Sequence, residues 1–306
     1  MKKDILVSVI ITTYKREPKI LKRAIDSVIN QTYSNLEIII INDSCKDSFK
    51  NEIIQLIESY GNGSITYIQN DENIGAGASR NKGIALSKGD VLAFLDDDDE
   101  WLPDKLKLMV PFIDSKVGLV SCNLLVHTEK STYLKKIPSY PDDVVLEKLL
   151  YRNYLGGFSG PILRKDIVVL CGSMDESLLS SQDSDLWRRM SKKCNFHHVD
   201  IPLVNYYVLS ESITNNSQKR LKGTISLIEK YEVEYQQYYK VRRKHVNKAI
   251  INYIVMGWNK EAIYLYNYEY QNYKKLLMGY VLIFGTAISF LTKFRKILRW
   301  RIRRND

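Results

Sequence analysis

Four consecutive aspartates, Asp96-Asp97-Asp98-Asp99, followed by Glu100 and Trp101, form the densest run of chemically useful side chains in this chain. Adjacent carboxylates repel one another and raise each other's pKa. A cation relieves that cost. Hard oxygen ligands with open positions suit Mn²⁺ or Mg²⁺ held jointly by protein and a phosphate-bearing substrate. On an extended backbone, residues i and i+2 share a face. The spacing therefore predicts Asp96 and Asp98 on one side, with Asp97 and Asp99 on the other.

The elements that must position this run can be traced from the N-terminus. The apolar stretch Val91 to Leu95 leads straight into the aspartates and has the length of a buried strand. Earlier runs, Val7 to Ile11, Glu37 to Ile41 and Ile65 to Gln69, have the same character. Between them lie stretches of helical period: Ile20, Leu21, Ala24, Ile25 and Val28 after Pro18, then Ile53, Ile54, Leu56, Ile57 and Tyr60. A third helix opens around Asn73 to Gly83. Strands alternating with helices predict βαβ units and a mainly parallel sheet. The loops 12–17, 42–47 and 96–100 all follow a strand's carboxyl end, so they gather on the sheet edge where such folds bind ligands.

Beyond Trp101 the rhythm changes. The pattern predicts a helix from Pro103 to Phe112, a strand from Gly118 to His127 and a loop over 128–142. A glycine-rich segment at 154–161 suits a bend or a close approach to ligand. Ser180 to Asp185 precedes Leu186-Trp187-Arg188-Arg189-Met190 as an N-capped helix. Two short strands, Phe196–Val199 and Val204–Leu209, close the sheet region, and from about 215 the pattern is helical.

Composition sets the outer limits. With 306 residues and 45% hydrophobic content, the chain holds one large α/β domain and an appendage. Cys45, Cys122, Cys171 and Cys194 lack paired spacing, so they are expected to be reduced thiols in a cytosolic protein. The net charge is +10, but residues 293–306 contribute seven cationic side chains against one aspartate. The basicity thus belongs to a tail, and no nucleic-acid partner is expected. The N-terminal Ile5 to Ile11 imitates a leader peptide but is better placed as the first strand.

Assembled in order, four segments carry a family resemblance: Val7 to Tyr14; Ile40-Ile41-Asn42-Asp43-Ser44; Asn73-Ile74-Gly75 with Ala78-Ser79-Arg80-Asn81-Lys82-Gly83; and Phe94 to Trp101. The set resembles the family 2 glycosyltransferases of bacterial surface-polysaccharide type. It covers about 5–215. The resemblance implies a GT-A fold, an α/β nucleotide-binding sandwich with a central, mainly parallel sheet, to which this chain adds a C-terminal helical extension. It implies a domain over 1–215, with a nucleotide-sugar half (1–100) and an acceptor half (101–215), then a helical, basic extension over 216–306.

The site residues follow from the same resemblance. The family's Asp-x-Asp matches Asp96-Asp97-Asp98, so Asp96 and Asp98 would hold the metal and Asp99 could add a ligand. Thr12, Tyr14 and Asp43 match the nucleoside-holding positions, with Tyr14 stacking on the base and Asp43 accepting from a uracil N–H. Arg80 and Asp97 complete the nucleotide-sugar set. The family's Glu-Asp pair before Leu-Trp falls on Gln182-Asp183, which makes Asp183 the catalytic base and Asp185 its rival. Glutamine stands here where the family has glutamate, which puts the acceptor contacts in doubt. A processive Gln-x-x-Arg-Trp signature is absent, so one sugar per encounter is expected.

The implied activity is a metal-dependent, inverting transfer from a nucleotide sugar, UDP-linked, to a glycan or polyprenyl-linked glycan. The alternative is a glycan- or nucleotide-binding module of the same fold without catalysis. Leu276 to Thr292 is uncharged over 17 residues, slightly short of a span. In the basic tail that follows, Phe294, Ile297, Leu298 and Ile302 share a helical face. That pattern predicts peripheral attachment to the cytoplasmic face of the cell membrane.

Overall fold

The structure is a computed structural model and describes residues 5–44, 48–61, 63–208 and 217–273. It divides into two compact units. The first comprises residues 1–149, 153–178 and 182–209, and the second comprises 150–152, 179–181 and 210–306.

The first unit is built on a sheet of nine strands among the described residues, in the order β3-β2-β1-β4-β8-β6-β9-β5, with β7 paired to β6. Strands β1 (Val7–Thr13), β2 (Leu36–Asn42), β3 (Ile65–Gln69) and β4 (Val91–Asp96) run parallel to one another, and β4 pairs antiparallel with the other half of the sheet on its far side. Their apolar runs are continuous because both faces are covered. Val7, Val9 and Ile11 pack into one core with Leu21, Ile25 and Val28 of α1 (Pro18–Ile29). Ile10, Ile39, Ile41, Leu92 and Phe94 face the opposite core, with Leu186 and Trp187 of α7 (Gln182–Met190). The remaining crossovers of this half are α2 (Lys50–Glu58) and α3 (Ala76–Leu86). Within α3, Gly83 crosses β1 so closely that an added Cβ would sit 2.5 Å from Ile10 Cγ2.

The other half of the sheet is mixed. The two-residue strand β5 (Glu100–Trp101) runs antiparallel to β9 (Asn195–Tyr207), while β9 is parallel to β6 (Val117–His127). Several elements depart from the sequence pattern. The helix expected over 103–112 is α4 (Lys105–Met109) followed by a 3₁₀ turn, Val110–Phe112, centred on Pro111. The loop expected over 128–142 contains β7 (Thr132–Lys135), which folds back on β6 as a hairpin. Helix α5 (Asp142–Tyr151), strand β8 (Ile162–Arg164) and helix α6 (Lys165–Leu170) follow. The two closing strands are one strand, β9, with a bulge where Cys122 pairs Val199 and Asn123 pairs Pro202. Asn123 Nδ2 donates to Asp200 Oδ1 there at 2.7 Å, so the polar interruption is absorbed without ending the strand.

The second unit contains α8 (Ser217–Lys230), α9 (Glu232–Gln237), α10 (Tyr239–Met256) and α11 (Asn259–Tyr273). Its buried Arg242 donates to both carboxylate oxygens of Glu269, at 2.9 and 3.0 Å, and pairs with Glu232. Gly257, at φ 85°, caps α10 in the left-handed conformation. Cys122, Cys171 and Cys194 are free thiols. The segments 276–292 and 293–306, and Cys45, lie outside the described residues.

Candidate active site

Three parallel strands bring their carboxyl ends together. Thr12 of β1 lies in register with Asp96 of β4 and Ile41 of β2, and Thr13 with Asn42. The next residue of β2, Asp43, donates its N–H to the Thr13 carbonyl at 2.8 Å. The described parts of the expected loops, 12–17, 42–44 and 96–100, therefore follow strand ends on one edge. In the loop after β1, Lys15 adopts a left-handed φ of 49°, and its N–H donates to Ser44 Oγ at 2.6 Å. Tyr14 beside it is 48% exposed, with the Lys15 ammonium 5.3 Å from its ring.

Asp43 is buried and already engaged. Oδ1 accepts from the N–H of Ile74 and from Asn70 Nδ2, and Oδ2 accepts from the N–H of Gly75, each at 2.9 Å. The carboxylate therefore fastens the segment that opens α3. Gly75, at φ 88°, supplies a turn that a side chain would strain. An ionised carboxylate has about four acceptor positions, and the described residues fill three of them.

The acidic run is a turn rather than an extension of β4. Asp99 N–H donates to the Asp96 carbonyl at 3.0 Å, which ends the strand at Asp96. The extended geometry expected for the run is thus absent, but burial alternates along the turn: Asp97 (5% exposed) and Asp99 (1%) are buried, while Asp96 and Asp98 are partly open. Asp99 is an anchor. Its Oδ2 accepts from Ser159 Oγ at 2.5 Å and its Oδ1 from Tyr207 N–H at 3.0 Å, so it ties the turn to two distant segments. Ser159 Oγ also accepts from Asp96 N–H at 3.1 Å. The Ser159 carbonyl accepts from Trp101 Nε1 at 2.9 Å. Below Trp101, the fully buried Lys105 ammonium stacks 4.1 Å from the indole ring, and burial lowers its pKa to about 8.

Two arginines sit on the turn. Arg80 of α3 places Nη2 2.8 Å from Asp96 Oδ1 and its guanidinium 4.1 Å over Phe158. Arg16 places Nη2 2.8 Å from Asp97 Oδ1 and 3.1 Å from Asp98 Oδ2. Their charge does not fully compensate the cluster. Burial, then repulsion from Asp96 and Asp97, raises the Asp98 pKa to about 6. Asp97 Oδ2 and Thr13 Oγ1 are buried without a partner in hydrogen-bond geometry, although the Thr13 hydroxyl is near enough to favour the Asp97 carboxylate. Among the described residues no three His, Cys, Asp or Glu side chains converge on a preformed cation site. Two partly open carboxylates beside an under-compensated buried one instead fit a cation that is shared with a phosphate ligand.

Asp183 lies in the first turn of α7 rather than ahead of it, where the helix dipole favours negative charge. Oδ2 accepts from Asn153 Nδ2, and Oδ1 from Ser184 N–H, each at 2.7 Å. Burial nevertheless raises its pKa to about 6, with Asp96 adding to the rise and Arg80 opposing it. The acidic turn and Asp183 therefore share one electrostatic site. The rival, Asp185, is fully buried and paired with Arg189 at 2.6 Å. The Gln182 side chain bonds away from Asp183. Its Oε1 accepts from Arg80 Nη1 at 3.3 Å and its Nε2 donates to the Leu178 carbonyl at 2.8 Å.

Arg16, Asn153, Ser159 and Tyr206 were not signalled by any motif. The partly buried Tyr206 is pushed to a higher pKa by burial and by Asp99, Asp96, Asp98 and Asp183. Only the glycine-rich segment around Ser159 hinted at this wall. A separate open cleft of about 350 Å³, lined by Lys19, Lys22, Arg23 and residues 100–103, does not include Asp96, Asp98 or Asp183.

A parallel half-sheet, a mixed half-sheet and an acidic turn at the carboxyl end of β4 are the architecture of the GT-A glycosyltransferase fold. The chain belongs to glycosyl transferase family 2, whose model matches residues 8–179. It is 30% identical over 235 residues to the amylovoran biosynthesis glycosyltransferase AmsB of Erwinia amylovora, covering 73% of this chain and 76% of AmsB. It is 25% identical over 276 residues to the Escherichia coli UDP-Glc:alpha-D-GlcNAc-diphosphoundecaprenol beta-1,3-glucosyltransferase WfgD, covering 89% of this chain and 99% of WfgD. In fold it is similar to the mannosyltransferase PcManGT of Pyrobaculum calidifontis, solved with GDP-Man and Mn²⁺, at TM-score 0.60 and 15% identity, covering 95% and 82% of the two chains.

Proposed function

We propose that this glycosyltransferase moves one sugar from a UDP-sugar to a glycan acceptor carried on a lipid diphosphate, with inversion and with a divalent cation, in surface-polysaccharide assembly. The observation that carries the reading is Arg80, which joins the acidic turn to the start of α7: Nη2 lies 2.8 Å from Asp96 Oδ1 and Nη1 3.3 Å from Oε1 of Gln182, the residue before Asp183. Tyr14, Thr12 and the remaining acceptor position of Asp43 would hold the nucleoside. Asp96 and Asp98 would hold Mn²⁺ or Mg²⁺, with Asp97 and Arg80 lining the diphosphate. When bound, the cation supplies charge neutralisation for the leaving diphosphate.

Asp183 would take the proton of the acceptor hydroxyl as that oxygen bonds the anomeric carbon and the bond to the leaving phosphate breaks. A group poised near 6 is ionised at neutral pH and still basic enough for this. Support for the donor and acceptor classes comes from the name of WfgD, and support for the cation from the Mn²⁺ in PcManGT. The test is calorimetric binding of UDP, GDP and CDP, each with and without Mn²⁺. Tight UDP binding that requires Mn²⁺ is expected. A preference for another base replaces the donor, and no binding by folded protein overturns the assignment.

The acceptor class also bears on location. Among the described residues no helix is long and apolar enough to cross a membrane. The proposal of peripheral attachment rests on the uncharged stretch and amphipathic basic pattern of 276–306. Removing 276–306 is expected to abolish partition onto anionic vesicles, and retained partition would overturn it.

A further inference from the structure

Two adjacent tyrosines near the end of β9 do different work. Tyr207 is fully engaged: its ring stacks on His127 at 4.7 Å, the Arg23 guanidinium lies 3.8 Å over it, and its hydroxyl donates to Glu100 Oε2 at 3.2 Å. Tyr206 precedes it on the strand and points to the opposite face. There it borders Gly157. A Cβ built on Gly157 would lie 3.6 Å from Asp96 Oδ2 and 4.0 Å from Tyr206 Cε2. The missing side chain at 157 therefore opens a space whose walls include the Asp96 carboxylate and the edge of the Tyr206 ring.

The phenol lies within electrostatic reach of four carboxylates, and the acidic turn acts on it more strongly than Asp183 does. Yet its hydroxyl makes no hydrogen bond among the described residues. Tyr206 is partly exposed and its hydroxyl is not among the buried unpartnered atoms, so it can meet a ligand that enters the space beside Gly157. An arginine in the same place would pair with the turn, as Arg16 and Arg80 do. A neutral phenol is not quenched in that way and stays available to a ligand.

We propose that Tyr206 is a donor-binding residue whose Oη–H donates to an oxygen of the leaving diphosphate. This rests on the nucleotide-sugar reading of the site given above. The leaving oxygen gains the electron pair of the breaking sugar–phosphate bond, and a fixed donor there is worth more as that charge develops. The acceptor proton goes to Asp183, and Tyr206 keeps its own throughout.

The test compares UDP with UMP, which lacks the second phosphate, by calorimetry on the full chain with Mn²⁺. Tyr206→Phe preserves the ring and removes only the hydroxyl. The variant is expected to bind UDP about ten-fold more weakly and UMP unchanged, the size of a hydrogen bond to a charged group. Equal weakening of both nucleotides would assign Tyr206 to supporting the fold and overturn the proposal, as would unchanged UDP affinity. If the unsubstituted protein binds neither nucleotide, the nucleotide-sugar reading itself fails, visibly and before any variant is measured.

Discussion

Arg80 Nη2 lies 2.8 Å from Asp96 Oδ1, so a carboxylate proposed to hold a cation is already paired with one that the protein supplies. Arg16 does the same for Asp97 and Asp98. A divalent ion alone must compete with these pairs. Arriving with a diphosphate, it gives the displaced guanidiniums phosphate oxygens to hold.

Metal and nucleotide are therefore expected to bind cooperatively. Mn²⁺ should tighten UDP binding, and UDP should tighten Mn²⁺ binding by the same factor. Asp98→Asn should remove at least about ten-fold of the Mn²⁺-dependent UDP affinity while leaving metal-free binding unchanged. Calorimetry with and without Mn²⁺ checks this, and equal Mn²⁺ enhancement in both proteins would show that Asp98 is not a ligand.

Asp183→Asn should lower transfer by about 10²- to 10⁴-fold with UDP affinity preserved. At saturating Mn²⁺ the acidic turn stays ionised, so the acid limb of the rate profile belongs to Asp183. That limb should fall ten-fold per pH unit below the Asp183 pKa, which is raised to about 6 without metal and is expected lower once a cation offsets the Asp96 charge. Stability should move the other way. A carboxyl raised in the folded state costs nothing below its unfolded pKa, loses stability as pH rises toward about 6, and carries the full cost above it. The asparagine variant removes this pH-dependent cost but sets its amide against one of the two donors, so the stability difference from the unsubstituted protein should shift in the variant's favour as pH rises from 4 to 7, read from Tm at the two pH values.

The first half of the fold was legible because strands buried on both faces leave unbroken apolar runs, as in Val7 to Ile11 and Val91 to Leu95. Strand ends then placed Thr12, Asp43 and Asp96 together without any contact being known. The second half was less legible. β8 has only three residues, and β9 crosses a bulge at Asp200 and Pro202 that imitates a strand end. The role of Asp99 was hidden because its partners, Ser159 and Tyr207, lie 60 and 108 residues away in sequence. Arg16 was passed over because a lone arginine in a polar loop carries no spacing signal.

Ser159 is the joint that holds the acidic turn, and its loss should be costly for the turn more than for the core. Ser159→Ala leaves Asp99 Oδ2 and the Asp96 N–H without their partner. Each orphaned buried group costs about 1–3 kcal/mol. A loss of stability of about 2–6 kcal/mol by denaturant titration is expected for the two groups together, along with weaker Mn²⁺-dependent UDP binding. Unchanged stability would mean that water replaces the hydroxyl at no net cost.

Gln182 offers the sharpest test of how the base is tuned. Its Oε1 holds Arg80, and its Nε2 holds the Leu178 carbonyl. Glutamate would keep the first contact and turn the second into a repulsion. It would also place a negative charge one residue from Asp183 and draw Arg80, which favours the ionised form of Asp183, toward itself. Both effects disfavour the Asp183 carboxylate. Gln182→Glu should therefore shift the acid limb of the pH–rate profile upward, by about half to one unit, with less transfer at pH 6 and little change at pH 8. A profile measured across pH 5 to 8 at saturating donor and Mn²⁺ decides it. A limb that stays in place would mean that Gln182 is electrostatically isolated from the base, and that its neutrality serves the Arg80–Asp96 pair alone.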